Sequence, residues 1–477
     1  MNKKDPLQYK SKIGLFFLAG DSWWEMGACT ATSGRYVGFI EKIEERVKQI
    51  TLKLSQEYEV ITSGIVHTVK DAIKEAKKYN EADVDAIIYC PIIWTNDQPL
   101  VAFIQNITKV PLLLWSYDPY GKILDYYRIV DWLVASAPVS VQQSTGILQQ
   151  FNWPYSSCFG NEDKQETQDT IRAFVKAATT KKSLLNTRIA VIPSPCRLVK
   201  GTWFHELELL AKTGVELDYI SVKELEASVK AVTEHEIKES LTYYKKFPSS
   251  EVTDSQLRES IRISLGLVKL VDQYGLSGIA LEDFNEELTK VFGYRPHLYH
   301  PGLGERFCTV GLEADVLGVL ATIIAGRLSG RIGMFSEFFT IEKERNLILM
   351  GHPGYGEISF ADEKTIEITP DIEIDDMLDR GVWLSYRAKA GFMSFINLSS
   401  NKDNIHASLF SGASIAGPRL MEGYSHLLIQ PEAKVESIFS GVTKNALFQH
   451  WGAALGDIRL SSAELFALLD IEFTSLD

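Results

Sequence analysis

Short apolar runs alternate with amphipathic stretches through the first third of the chain. Residues 13–20 form a continuous apolar run ending in glycine, the pattern of a strand buried on both faces. Ile40, Ile43, Val47 and Ile50 recur at helical spacing and predict a helix over 34–54. A strand at 58–62, a charged helix at 69–79, and strands at 86–90 and 111–115 continue the rhythm. Such a β-α-β-α order predicts an open parallel sheet with helices on both faces, and ligands in such sheets sit beyond the carboxyl ends of the strands. Here those ends carry Asp21-Ser22-Trp23-Trp24, the segment 91–97, and Ser116-Tyr117-Asp118.

A polar stretch at 181–186 marks a boundary. Strand patterns at 188–192, 215–220 and 278–281, with a charged helical stretch over 221–247, predict a second α/β domain. After Arg331 short alternating strands dominate, at 365–369, 381–384, 392–398, 406–410 and 426–429, and a helix over 461–469 with Ser461 or Ser462 as N-cap closes the chain. The expected layout is α/β: two Rossmann-like α/β domains (1–180 and 181–328) followed by a mainly-β, barrel-like domain (329–477) with a terminal helix. A length of 477 residues is consistent with about three domains.

Composition narrows the function classes. Lys and Arg total 49 against 62 Asp and Glu, a net charge of −13, which repels phosphate backbones and anionic membranes. Neither a nucleic-acid nor a membrane partner is expected. The five cysteines lie far apart with no CxxC pair, which argues against a disulfide framework or a cysteine zinc site and for a cytoplasmic setting. The apolar run at 13–20 is too short for a signal-peptide core with a cleavage site, and no stretch is long enough to span a bilayer. There is no Walker loop and no GxSxG elbow, and Gly302-Leu303-Gly304 lacks the third glycine of a dinucleotide loop.

Four residues carry candidate chemistry. Glu313 sits at the entrance to the apolar helix predicted over 316–325, where it either serves a site or only complements the helix dipole. Glu337 is a lone carboxylate in the apolar run 331–339; buried, it needs a metal, a cation or a proton, and exposed it is an ordinary strand residue. His352 ends the apolar strand 347–352 and is followed by Pro353-Gly354, as a strand-mouth ligand or a capped turn residue. His450 lies between aromatics, as a ligand or a packed core histidine. Together, two carboxylates and two imidazoles suit a divalent ion such as Mn²⁺ with positions left for water or substrate oxygens.

In order and approximate spacing these motifs resemble the L-arabinose isomerase and L-fucose isomerase superfamily, nearest its arabinose isomerase side, over essentially the whole chain. Leu312-Glu313-Ala314-Asp315 resembles that family's Glu-Gly-Asp segment, and Met334-Phe335-Ser336-Glu337-Phe338-Phe339 its Phe-Met-Glu-Asp-Tyr. Gly351-His352 resembles its Gly-Ala-His, Gln449-His450 its His-His, and Leu281-Glu282-Asp283 its Phe-Glu-Asp. The resemblance implies Mn²⁺ (or Co²⁺ or Mg²⁺) held by Glu313, Glu337, His352 and His450, no organic cofactor, and Glu313 and Glu337 as the acid/base pair. It also implies a homo-oligomer, a hexamer or related assembly, with the site near a subunit interface. The implied activity is a metal-dependent aldose–ketose isomerase moving a proton between C2 and C1 of a free sugar through a cis-enediol(ate).

Several positions depart from the family pattern. Gln449 replaces the first histidine of the pair, Ser22 and Trp24 stand where arabinose isomerases carry Gln and Leu, Pro353 replaces Met, and Leu281 replaces Phe. These are expected substrate-facing positions, so the expected substrate is not L-arabinose but a hexose, a 6-deoxyhexose or a 6-sulfo-hexose such as sulfoquinovose. An anionic substituent would need an arginine fork, for which Arg35, Arg197 and Arg306 are near predicted loop mouths, although ion pairing is the more ordinary use of each. The competing readings are an inactive sugar-binding or regulatory protein of the same fold, and a metal-dependent sugar epimerase.

Overall fold

The computed structural model describes residues 9–249, 251–373, 381–401 and 404–477. The described residues form two compact units where the sequence pattern predicts three domains: one comprises 9–182 with 460–468, the other 183–459 with 469–477.

In the first unit the strands are β1 (Lys12–Leu18), β2 (Glu59–Ile61), β3 (Ile65–Val66), β4 (Ala86–Pro91), β5 (Leu112–Tyr117) and β6 (Tyr155–Gly160). They form one parallel sheet in the order β2-β1-β4-β5-β6, with β3 beside β1. The apolar run of β1 reads continuously because both faces are buried: Ile13, Leu15 and Phe17 enter one core and Phe16 and Leu18 the other. Strand order reverses beside β1, which puts Asp21–Trp24 at a topological switch point. The helix expected from Gly34 begins only at Phe39 (Phe39–Ser55), because Gly38 takes a left-handed φ of 78° just before it.

The second unit begins with β7 (Arg188–Ile192), β8 (Glu216–Tyr219), β9 (Gly278–Leu281) and β10 (Thr309–Gly311), a parallel sheet in the order β10-β9-β7-β8. The charged stretch 221–247 is two helices, Val222–Lys230 and Glu234–Tyr244. The break is dictated locally: Thr233 and Glu236 make a reciprocal capping box that starts the second helix.

The mainly-β part contributes β11 (Met334–Glu342), β12 (Leu347–His352), β13 (Glu367–Pro370), β14 (Val382–Ser385), β15 (Gly391–Asn401), β16 (Asn404–Ser414), β17 (Ser425–Pro431), β18 (His450–Leu455) and β19 (Glu472–Ser475). Pairing runs β15-β18-β11-β12-β17-β16 and closes through β15–β16, with β19 parallel on β16. The helix Val316–Ser329 is apolar on almost every side and correspondingly buried. Gly452 of β18 admits its backbone closely; a Cβ there would lie 2.4 Å from Ala321 C. One buried cluster therefore runs from Ile192 and Leu281 of the parallel sheet through Met334 to Phe395 and Phe410 of the closed sheet.

The last helix is Arg459–Leu468, so Ser461 and Ser462 are buried inside it rather than capping it. Asp457 starts the turn, its Oδ1 accepting the Arg459 N–H at 3.0 Å. Cys29, Cys90, Cys158, Cys196 and Cys308 are all buried thiols. Among the described residues no helix is long and apolar enough to cross a membrane.

Candidate metal centre

The closed sheet and the end of the parallel sheet bring three of the four candidate residues together. Glu313 follows β10, His352 is the last residue of β12, and His450 is the first of β18. One ligand atom from each lies within 4.8 Å of the other two. Glu337 is outside that group. In the ladder it stands opposite His450 on one side and Gly351 on the other, so it flanks the cluster from within β11.

Each imidazole is oriented by a partner on its far nitrogen. His352 Nδ1 lies 2.9 Å from the Pro353 carbonyl, which can only accept, so that nitrogen carries the proton. His450 Nδ1 lies 2.7 Å from Asp315 Oδ2, the carboxylate–histidine arrangement that fixes a metal-binding ring. Asp315 itself caps the helix Val316–Ser329, accepting from Gly318 N–H at 3.0 Å. Both rings therefore turn their Nε2 atoms inward, 3.3 Å apart. Two bare nitrogen lone pairs at that distance repel, and a positive charge between or upon them removes the conflict. The donor set of two imidazole nitrogens and a carboxylate fits a divalent cation of the Mn²⁺, Co²⁺ or Mg²⁺ type.

The electrostatics follow from burial and proximity. Burial pushes the Glu313 carboxyl up to about 7; His450 works against this, while Glu337, Asp283 and Asp315 add to it. Burial also raises Glu337, opposed by His450 and assisted by Glu373. His352 is pushed down to about 3 by burial and by His450. Burial alone would lower His450, but the hydrogen bond to Asp315 and the charges of Asp315, Glu313 and Glu337 outweigh it, and its proton affinity rises. The pocket thus attracts positive charge to the His450 side. Phe335 closes the apolar wall, its ring 5.0 Å from that of His352 and 4.5 Å from that of His450.

The expected substrate-facing residues divide. Gln449 is at the cluster: its Nε2 donates to Glu313 Oε2 at 2.7 Å and lies 3.2 Å from His450 Nε2. Pro353 orients His352 through its carbonyl. Leu281 is wholly buried in the core, because β9 is a central strand covered on both faces. Ser22 and Trp24 belong to the other compact unit. There Ser22 Oγ lies 3.5 Å from Asn96 Oδ1, and Trp24 stacks on His67 at 4.1 Å and lines an open cleft of about 480 Å³ with Ile40, Lys48 and Gly64. Arg306 is committed to a bidentate pair with Asp272, and Arg35 and Arg197 are exposed.

Two features escaped the sequence pattern. Asp315 was visible as the last residue of the Leu312–Asp315 motif ahead of an apolar helix, not as the anchor of His450. The buried pair Arg295–Asp371, with Glu373 also on Arg295 and Tyr424 on Glu373, had no periodic or motif signal at all.

No protein-family model matches the chain, and no curated protein matches it. Among solved structures it is similar to an ABC transporter periplasmic solute binding protein from Actinobacillus succinogenes 130z with bound D-allose, at 11% identity over 59% of this chain and 81% of that one, with a TM-score of 0.15. It is also similar to the periplasmic binding component of the arabinose ABC transporter from Shewanella sp. ANA-3, bound to L-arabinofuranose, at 13% identity over 59% and 77%, TM-score 0.14. A third is a periplasmic sugar binding protein from Legionella pneumophila, at 10% identity over 67% and 94%, TM-score 0.15. Likeness at this level carries no argument about ligand or activity.

Proposed function

We propose that the protein is a divalent-cation-dependent aldose–ketose isomerase of the L-arabinose and L-fucose isomerase type, acting on a free sugar. The observation that carries this reading is the pair of inward-facing imidazole Nε2 atoms, 3.3 Å apart with both Nδ1 atoms already satisfied, beside Glu313. Glu313, His352 and His450 would hold Mn²⁺, Co²⁺ or Mg²⁺, with Glu337 adjacent. When bound, the cation supplies Lewis-acid polarisation of the sugar oxygens on which charge develops.

The chain's own groups supply the proton transfer. Aldose–ketose interconversion removes a proton from C2 and returns it at C1 through an enediol(ate), which requires a carboxylate with near-neutral proton affinity. Burial raises both Glu337 and Glu313 toward that range, Glu313 to about 7. Glu337 would take the C2 proton and return it at C1, while Glu313, free of its own proton once it holds the cation, would relay the hydroxyl proton from O2 to O1. Gln449, which donates to Glu313, would set the direction of its free oxygen. Phe335 limits water beside the two rings. The expected substrate is a hexose, a 6-deoxyhexose or a 6-sulfo-hexose such as sulfoquinovose, because Pro353 and Gln449 depart from the arabinose isomerase pattern at the site itself. A cytoplasmic homo-oligomer, hexameric or related, completes the reading and rests on the resemblance.

The test is an aldose screen in D₂O with and without Mn²⁺, read by NMR for ketose and for deuterium at the transferred carbon. Ketose formation lost on chelation and restored by Mn²⁺ is the expected result. A C2-epimeric aldose instead of a ketose would reassign the protein as an epimerase. No conversion of any sugar by metal-loaded protein would turn the reading to a binding protein.

A further inference from the structure

Glu313 and Ala314 both have left-handed backbones, φ +56° and +49°, immediately before the capping residue Asp315. Neither is a glycine, and consecutive left-handed L-residues persist only where their surroundings hold them. What holds them lies one strand away. The Ala314 N–H donates to the Leu281 carbonyl at 2.9 Å, and the Glu313 N–H donates to Asp283 Oδ1 at 3.0 Å. Asp283 is buried, and its Oδ2 lies 3.1 Å from His297 Nε2, with Arg295 Nη1 at 3.8 Å.

The same histidine reaches the other ligand-bearing segment. Its ring stacks on Trp383 at 5.5 Å and 8°, and Gly354, two residues after His352, lies close against it. A Cβ on Gly354 would meet the ring at 2.9 Å, so only glycine lets this turn lie against it.

We infer that Asp283, braced by His297, is a positioning residue that holds the strained Glu313–Ala314 turn and so aims the Glu313 carboxylate at the two imidazole Nε2 atoms. This rests on the metal-site reading above for its functional meaning, but the brace itself is a property of the metal-free chain. Asp283 touches the backbone of Glu313, not its carboxylate. Its effect must therefore pass through the turn, and that gives it a signature that a merely space-filling carboxylate lacks. Anything that lowers the cost of the turn should compensate for its loss. Glycine at 314 does so, since it takes left-handed φ freely.

The experiment compares wild type, Asp283→Ala, and Asp283→Ala with Ala314→Gly. In chelator-treated protein, hydrogen exchange by mass spectrometry is followed over 311–316. Mn²⁺ affinity is measured separately by equilibrium dialysis. Asp283→Ala is expected to speed exchange of this segment and weaken Mn²⁺ binding by about ten- to a hundredfold. Adding Ala314→Gly is expected to recover most of both. Wild-type exchange in the single variant, or a double variant no better than the single, overturns the proposal. Asp283→Asn, which keeps the volume, covers the case in which the alanine variant does not fold. Its neutral acceptor is expected to give about a threefold effect in both readouts, again repaired by Ala314→Gly; the absence of that repair overturns the proposal equally. A wild type that binds no Mn²⁺ defeats the metal reading alone, and the exchange comparison still decides the brace.

Discussion

At the scale of single residues, Glu337 and the ligand cluster make separable expectations. Glu337 lies outside the three-residue group, so Glu337→Gln is expected to lower kcat by about a thousandfold while leaving Mn²⁺ stoichiometry and the melting temperature near wild type. Steady-state kinetics beside metal analysis checks this, and full activity would remove the proton-transfer role. His450→Ala deletes a ligand and strands Asp315, so metal content after dialysis is expected to fall well below that of wild type. The pH dependence follows from Glu313 and His450. Glu313, raised to about 7, and His450, raised above its ordinary 6.5, both hold protons that a cation must displace. Mn²⁺ affinity should therefore climb by about ten- to a hundredfold per pH unit while these groups are protonated and flatten only once both have lost their protons, as titration calorimetry in several buffers would report. For metal-free stability the sign is the reverse. The raised carboxyl contributes stability that is present below its ordinary value of 4.5 and lost as pH rises through 7. Glu313 and His352 stand out in the chain because each ends an apolar run, where a charged or imidazole group is conspicuous, and His450 because it begins one between aromatics. That Leu281 is wholly buried was not legible, because one leucine does not reveal whether its strand is covered on both faces.

Among elements, the central strands β1, β4, β5, β7 and β9 were readable from continuous apolar runs, and β7 and β9 keep the boundaries their pattern predicts, whereas β3, β6 and β10 were not predicted. Helix ends were less legible, since they depend on one capping group. Gly38 delays the first long helix, Thr233 divides a charged stretch in two, and Asp457 rather than a serine begins the last helix. The packing of the helix Val316–Ser329 on β18 had no sequence signal, because it depends on the absence of a side chain at Gly452. Gly452→Ala would drive a methyl into the helix backbone at Ala321 and Thr322, neither of which can swing aside. It is expected to cost about 1–3 kcal/mol of stability, read by denaturant melts. Mn²⁺ binding should weaken as well, because His450 is two residues away in the same strand.

For the whole molecule, the number of compact units was not legible in the chain, because a shift in strand pattern near 329 coincides with no break in the core. The tail is the clearest example. Residues 460–468 belong with 9–182, where Glu464 accepts from Ser156 Oγ at 2.5 Å and Leu468 packs on the core. Residues 469–477 belong with 183–459, where β19 extends β16 and Asp477 accepts from Ser411 N–H at 2.7 Å. Removing everything after Asp457 should therefore lower the stability of both units, and differential scanning calorimetry of the shortened chain should show every transition displaced downward. A single displaced transition would mean that one unit does not use its share of the tail.

The route of that tail also bears on inheritance. Among the described residues the chain passes between the units after Lys182, after Arg459 and after Leu468. A recombination event with one breakpoint could exchange the front of the gene and still leave a foreign helix in the first unit. A lineage that changed one unit independently of the other would need several coordinated joints. Such a protein is expected to diversify by point substitution at its strand ends rather than by trading whole modules.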